Sequence, residues 1–153
     1  MPTPPSIADM FDETKWSVNF TRQEIELIAS YMSVHAYEPG ELIFREGDRE
    51  HYMAFIVEGC VDILKETSDR TERVLVSLSR STHFGEMAFV DGEPRSASAT
   101  ARDKTTLLVL SRDNFDCILA NQPALGIKML RNVAKMISQR LRMTTGKLVY
   151  FRS

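Results

Sequence analysis

The sequence predicts a mainly β domain, an antiparallel sandwich or barrel, with a short helix in front of it and a long helix behind. Three observations carry this. Between Tyr37 and Ser111, short apolar or alternating runs recur at even spacing with turn residues between them, as in antiparallel strands joined by short connections. Before and after that span, apolar residues recur at helical spacing instead. The 153 residues also match one domain, long enough to bury a core without covalent staples.

In chain order, Met1 to Ser6 is proline-rich and reads as a loose tail, with residues 1–20 as a lead-in. Thr21 and Glu24 have the spacing of a capping box. Ile25, Leu27, Ile28, Tyr31 and Met32 then repeat at helical spacing, which predicts a helix from about Thr21 to Met32. Tyr37-Glu38-Pro39-Gly40 is a turn signal. Strands follow at Leu42 to Phe44, Tyr52 to Val57, Val61 to Lys65, Val74 to Leu78, Ser96 to Ala101 and Thr105 to Leu110. The intervening turns include Glu46-Gly47-Asp48 and Glu58-Gly59. Ser111 reads as the N-cap of a short helix holding Phe115, Ile118 and Leu119. Pro123 suits the first turn of the long helix, which is expected to run to about Met143 with Gly146 as its C-cap. The domain is thus expected over residues 21–146, with 147–153 as a tail.

The long helix carries two apolar stripes. Met129, Val133, Met136 and Met143 form one, with Arg140 among them; Leu130, Ala134, Ile137 and Leu141 form the other. One barrel can cover only one stripe. The methionine stripe has coiled-coil spacing and is expected to pair with a second copy, giving a homodimer through helix 123–145.

Composition excludes several classes. A net charge of −2 offers no basic surface for nucleic acid. No apolar run approaches the ~20 residues of a membrane span, and the first dozen residues lack the basic and apolar regions of a signal peptide. Cys60 and Cys117 lack CxxC spacing and read as reduced, buried thiols of a cytoplasmic protein. His35, His51 and His83 are scattered, read as surface or edge residues, and give no metal-ligand spacing. No nucleophile–base arrangement surrounds Cys60, Cys117 or Ser96, so no enzyme activity, cofactor or metal is expected.

The chemistry sits in Phe84-Gly85-Glu86-Met87-Ala88-Phe89-Val90-Asp91-Gly92-Glu93-Pro94-Arg95-Ser96-Ala97. Gly85 allows a tight turn and close approach of a ligand. Residues 86–89 can form one helical turn whose free N–H groups face an anion. Arg95 supplies a permanently charged fork for phosphate oxygens, and Asp91-Gly92 can turn it back over the glycine. Ser96 adds a hydroxyl. Glu86 does not suit a phosphate; it suits a neutral donor such as a sugar hydroxyl. Residue types alone equally allow a glycine turn with a surface Glu–Arg pair.

The segment resembles the phosphate-binding cassette of the cyclic-nucleotide-binding domain family, at Phe84, Gly85, Glu86, Met87, Ala88, Pro94, Arg95, Ser96 and Ala97. The Pro39-Gly40, Glu46-Gly47-Asp48 and Glu58-Gly59 turns match that family's barrel corners, so the resemblance spans nearly the whole chain. It implies an antiparallel β-barrel, or double-stranded jelly roll, and a ligand of cyclic AMP, with cyclic GMP as the alternative. It also implies that Glu86 takes the ribose 2′-hydroxyl, that Arg95 and Ser96 meet the phosphate, and that the backbone of Gly85, Met87 and Ala88 lines the pocket. Val61, Ile63, Leu75 and Phe84 would be apolar walls, or else ordinary core.

Gln139 to Thr145 is similar to the dimer helix of bacterial catabolite activator proteins. That likeness implies that Thr144 and Thr145 meet the adenine, one from each subunit, and that Arg140 supports the ligand; a polar helix end is the plainer reading of the threonines. Activators of this kind continue into a winged helix-turn-helix, for which no room remains before Ser153. The expectation is therefore a sensor without direct DNA binding, acting on an effector protein the sequence does not name. A degenerate barrel serving only assembly is the alternative, against which the joint presence of Gly85, Glu86 and Arg95 stands.

Overall fold

A computed structural model describes residues 5–152. Helix α1 (Ile7–Asp12) and a 3₁₀ turn (Lys15–Asn19) precede α2 (Arg22–Ala29). Eight strands follow: β1 (Ser33–Tyr37), β2 (Leu42–Phe44), β3 (Tyr52–Glu58), β4 (Cys60–Glu66), β5 (Glu72–Ser79), β6 (His83–Phe84), β7 (Ser98–Ala101) and β8 (Thr105–Ser111). Helix α3 (Glu86–Asp91) lies between β6 and β7, while α4 (Arg112–Asn121) and α5 (Pro123–Arg152) close the chain. No described helix is long and apolar enough to cross a membrane.

The strands form two four-stranded antiparallel sheets, ordered β1-β8-β3-β6 and β2-β7-β4-β5. The architecture is thus the sandwich of the two readings. The described edge strands of one sheet do not pair with those of the other, so no closed barrel forms among them. Strands β3 and β8 are covered on both faces, which is why each reads as a continuous apolar run. Tyr52, Ala54, Ile56, Leu107 and Val109 point between the sheets, into a core shared with Phe44, Val61, Phe84 and Ala99. Met53, Phe55, Leu108 and Leu110 point the other way, into a second core roofed by helices.

The expected caps are in place. Thr21 and Glu24 form a reciprocal capping box, and the Ser111 hydroxyl accepts from the Asn114 N–H. The helix ends at Ala29, however, because Ser33–Tyr37 form β1 against β8. This strand carried no sequence signal: it is an edge strand with no buried alternation. The lead-in is helical as well. Phe11, Trp16 and Phe20 are buried, with Phe11 and Trp16 ring centroids 5.2 Å and 5.3 Å from that of Phe55. The last helix runs through Gly146 to Arg152, since a single interior glycine weakens a helix by roughly 1 kcal/mol without ending it.

Two further expectations change. Cys117 is exposed, because α4 buries Phe115 and Ile118 and places Cys117 on another face; Cys60 is half-buried. The two stripes of α5 also exchange roles. Met129 and Val133 are fully buried in the domain's own core and Met136 packs against it, with its Sδ accepting from Trp16 Nε1 at 2.7 Å. Lys128 adds an ion pair to Glu24 at 2.8 Å. The outward stripe is Leu130, Ala134 and Leu141, with Leu141 64% exposed; Ile137 lies between, half-buried against the helical core, and Met143 of the methionine stripe is exposed. The buried lead-in is what covers the methionines. Accordingly, Trp16→Ala is expected to destabilise the domain by roughly 3–5 kcal/mol in denaturant unfolding; a change below about 1 kcal/mol would show that the lead-in is not part of the core.

Candidate functional site

Strand β6 delivers the chain to Gly85, whose φ is +88°, and α3 starts at the next residue. A side chain is excluded at this turn twice over. The conformation is left-handed, and a Cβ would lie 2.7 Å from both Arg95 Nη1 and the Tyr52 carbonyl oxygen. Phe89 anchors α3 by burial against Phe115, their ring centroids 4.9 Å apart.

Arg95 comes back over Gly85 as its position after the Asp91-Gly92 turn suggested. Its backbone is tied to the β2–β3 turn: Arg95 N–H donates to Asp48 O, and Gly47 N–H donates to Arg95 O, each at 2.8 Å. The side chain is only 4% exposed. Its guanidinium carbon lies 4.2 Å from the Phe44 ring centroid and 4.6 Å from that of Tyr52. Nη2 donates to Tyr52 O at 2.8 Å and Nη1 to Gly85 O at 3.3 Å, while Nε is buried without a partner. Among the described residues no carboxylate forms an ion pair with Arg95. Burial lowers its pKa from the ordinary arginine value, yet a guanidinium is basic enough to stay charged at neutral pH. The outcome is a buried cation held by carbonyl dipoles and aromatic faces, with no anion of its own.

The second cation is Arg140. It reaches across from α5, pairs with Glu86 Oε1 and donates to the His83 carbonyl at 3.3 Å. Glu86 is only 3% exposed, and its Oε2 is unpartnered, with His83 Nδ1 at 3.6 Å. His83 is therefore no edge residue: it is buried, packed edge-on to Phe55. Burial first, and the Arg140 charge second, lower its pKa to about 4, so it is neutral at pH 7.

These groups surround a cavity of about 520 Å³. Of the anticipated residues, Ile63, Phe84, Gly85, Glu86, Met87, Arg95, Ser96, Ala97 and Arg140 line it. Val61 instead lies in the core between the sheets. Leu75 is turned out and 60% exposed: Ile63 pairs with Val76 and Leu64 with Val74, which leaves Leu75 as the extra residue of a bulge. Val76 and Leu78 take the wall instead. Alternation from Ile63 across the β4–β5 pair would have found both, had the bulge been legible. Ala88 lies in α3, its side chain outside the described part of the structure. Thr144 and Thr145 are exposed beyond the cavity, and the Thr144 hydroxyl donates to Arg140 O at 3.0 Å. Among the described residues no cluster of three metal-ligating side chains occurs.

Residues 34–122 match the family model of the cyclic nucleotide-binding domain. The chain belongs to that family. The Cyclic AMP receptor protein of Thermus thermophilus is 32% identical over 120 residues, 78% of this chain and 54% of that protein, so the chain spans about half the length of this curated relative. A solved cyclic nucleotide-binding domain from Methylobacillus flagellatus superposes with a TM-score of 0.80 at 30% identity, over 94% of this chain and 80% of that one. The Thermus thermophilus catabolite activator protein gives 0.78 at 28% identity, over 90% and 62%. Within this cyclic nucleotide-binding domain, the segment that resembles the cassette runs over β6, α3 and the approach to β7.

Burial of neutral His83 has a pH signature. An unfolded histidine takes a proton near pH 6.5, whereas the folded one resists until about pH 4. Between those values the unfolded chain binds more protons, so stability is full above pH 6.5 and falls as the pH drops toward 4, by up to about 3 kcal/mol. His83→Phe is expected to show a correspondingly shallower decline in urea unfolding across pH 6.5–4; parallel curves would mean that His83 titrates normally.

Proposed function

We propose that this domain is a receptor for a cyclic nucleotide, cyclic AMP, held between the cassette and α5. The observation that carries the reading is Arg95, a buried cation with no ion-pair partner among the described residues, facing a cavity of ligand size. Burying an unpaired charge costs several kcal/mol, a cost that an incoming anion offsets. The charge count narrows the anion: among the buried and pairing groups Arg95 and Arg140 against Glu86 leave one net positive charge, while the other carboxylates of the lining, Asp91 and Glu93, are exposed to solvent. A cyclic phosphodiester carries one negative charge and matches that; a phosphate monoester carries nearly two. Arg95 and Ser96 meet the phosphate, and Glu86 accepts the ribose 2′-hydroxyl. Ile63, Val76 and Leu78 cover the base. Cyclic AMP, rather than cyclic GMP, is favoured by the Thermus relative, whose name is Cyclic AMP receptor protein. The domain works by binding rather than catalysis.

The output runs through a homodimer. Leu130, Ala134, Ile137 and Leu141 follow a 4-3-4 spacing, that of a coiled-coil seam, and form an open apolar groove with Val90 of α3. A second copy of α5 covers it best, because the two-fold pairing meets like with like. Thr144 holds the next position of the same repeat, which sets it and Thr145 near the partner rather than in the chain's own cavity. Since Arg140 lines the ligand cavity from the helix that forms the seam, ligand binding and pairing are coupled.

Two measurements test this. In calorimetric titrations of nucleotide-free protein, Arg95→Ala is expected to weaken cyclic AMP binding by about 2–5 kcal/mol, and Glu86→Ala by about 1.5–3 kcal/mol; cyclic GMP should bind more weakly than cyclic AMP. An unchanged dissociation constant for Arg95→Ala would sink the assignment. In sedimentation velocity the wild type is expected to be a dimer that Leu141→Glu dissociates. A monomeric wild type, with or without ligand, would overturn the seam.

A further inference from the structure

We infer that His83 is a positioning residue for ligand recognition: its imidazole, in the Nδ1–H tautomer, holds one oxygen of Glu86 and so keeps the other turned to the ribose. The inference rests on the reading of Glu86 as the ribose acceptor, and adds to it a residue outside the cassette motif.

The argument begins with two unmet polar atoms. His83 Nδ1 and Glu86 Oε2 are both buried without partners and stand 3.6 Å apart, a few tenths of an ångström beyond a hydrogen bond. Buried polar atoms are nearly always satisfied, and each of these has the other as its nearest remedy. A carboxylate only accepts, so the proton between them must sit on Nδ1. The imidazole is also held in place. His83 pairs with Phe55 across the β3–β6 ladder, its ring meets the Phe55 ring edge-on, and its carbonyl accepts from Arg140. One residue therefore braces both members of the Arg140–Glu86 pair, Arg140 through its backbone and Glu86 through its ring.

That bracing has a consequence for specificity. An arginine and a carboxylate free to adjust settle into a two-pronged pair that uses both carboxylate oxygens. In this site Arg140 engages Oε1 while Oε2 faces His83. With Oε2 held by the imidazole, the carboxylate cannot turn both oxygens to Arg140, and it retains acceptor capacity toward the cavity. Remove the ring donor and Arg140 can take both oxygens, which withdraws the acceptor from a ribose hydroxyl. Low pKa and burial agree with this role, since only the neutral ring presents one defined N–H.

The test compares cyclic AMP with 2′-deoxy cyclic AMP on the full, nucleotide-free chain. Wild type is expected to favour cyclic AMP. His83→Phe keeps the packing against Phe55 but loses the donor. It is expected to lose about 10-fold in cyclic AMP affinity, with the deoxy ligand changed less than about twofold. His83→Asn, whose amide nitrogen can stand near the Nδ1 position, is expected to restore most of the discrimination. Nitrogen-15 spectra of wild type are expected to show a protonated Nδ1. If wild type itself does not distinguish the two ligands, the ribose reading of Glu86 falls and this inference with it. If wild type distinguishes them and His83→Phe does so equally, or if the proton sits on Nε2, only the role of His83 is overturned. Should His83→Phe fail to fold, the tautomer in wild type decides.

Discussion

A guanidinium buried beside two aromatic rings, with no carboxylate paired to it among the described residues, is the constraint around which the rest of this domain is arranged. Keeping Arg95 there requires several separate features of the chain. Gly85 must lack a side chain, since a Cβ would collide with Nη1. The Tyr52 carbonyl must be free of the ladder to accept from Nη2. The β2–β3 turn must grip the Arg95 backbone through Gly47 and Asp48. Phe44 and Tyr52, edge-on to each other, must both turn their rings to the cation, which favours it electrostatically where water is absent. None of these contacts cancels the charge. They make the site stable enough to exist and leave its electrostatic demand open, as the proposed binding of a small anion requires.

The remainder of the fold serves to bring a second cation to the same place. Strands β3 and β8, buried on both faces, separate the inter-sheet core from the helical core. The lead-in helices fill the helical core with Phe11, Trp16 and Phe20, and against them the first half of α5 is fixed by Met129, Val133, Met136 and the Lys128–Glu24 pair. One turn further on, Arg140 enters the cavity and meets Glu86. Residues before the first strand thus determine where a residue near the end of the chain stands relative to the cassette.

Legibility followed the physics of each signal. The cassette was readable because its residue types are forced by contact distances at Gly85 and by charge at Arg95. The caps at Thr21 and Ser111 were readable because a cap is a local bond between residues three apart. Strands β3 and β8 were readable as apolar runs, whereas β1 was not, being a largely exposed edge supported mainly by pairing with the distant β8. Leu75 misled because a bulge shifts alternation by one, so Val76 and Leu78 took its place on the wall. His83 gave no signal: burial of a lone histidine depends on what packs over it, and that is tertiary information. The stripes of α5 were both seen, but their roles were reversed, because the lead-in looked like a tail and its aromatic residues were not counted as cover for the methionines.

That reversal bears on how the domain works. Had the methionine stripe faced outward, the whole length of α5 would be a free surface and its pairing would be independent of the cavity. With Met129, Val133 and Met136 locked into the core, the helix is anchored from its start to about Met136, and its contacts thin beyond that point. Leu141 and Met143 are exposed, and the side-chain contact that holds this last stretch to the domain's cavity is Arg140 on Glu86. The distal helix is therefore tied to the domain chiefly through a residue that lines the cavity and that the proposed ligand also engages. If the buried carboxylate is shared between a sugar hydroxyl and the helix's own arginine, as proposed, the position of that helix depends on what occupies the cavity, with no additional mechanical link between them.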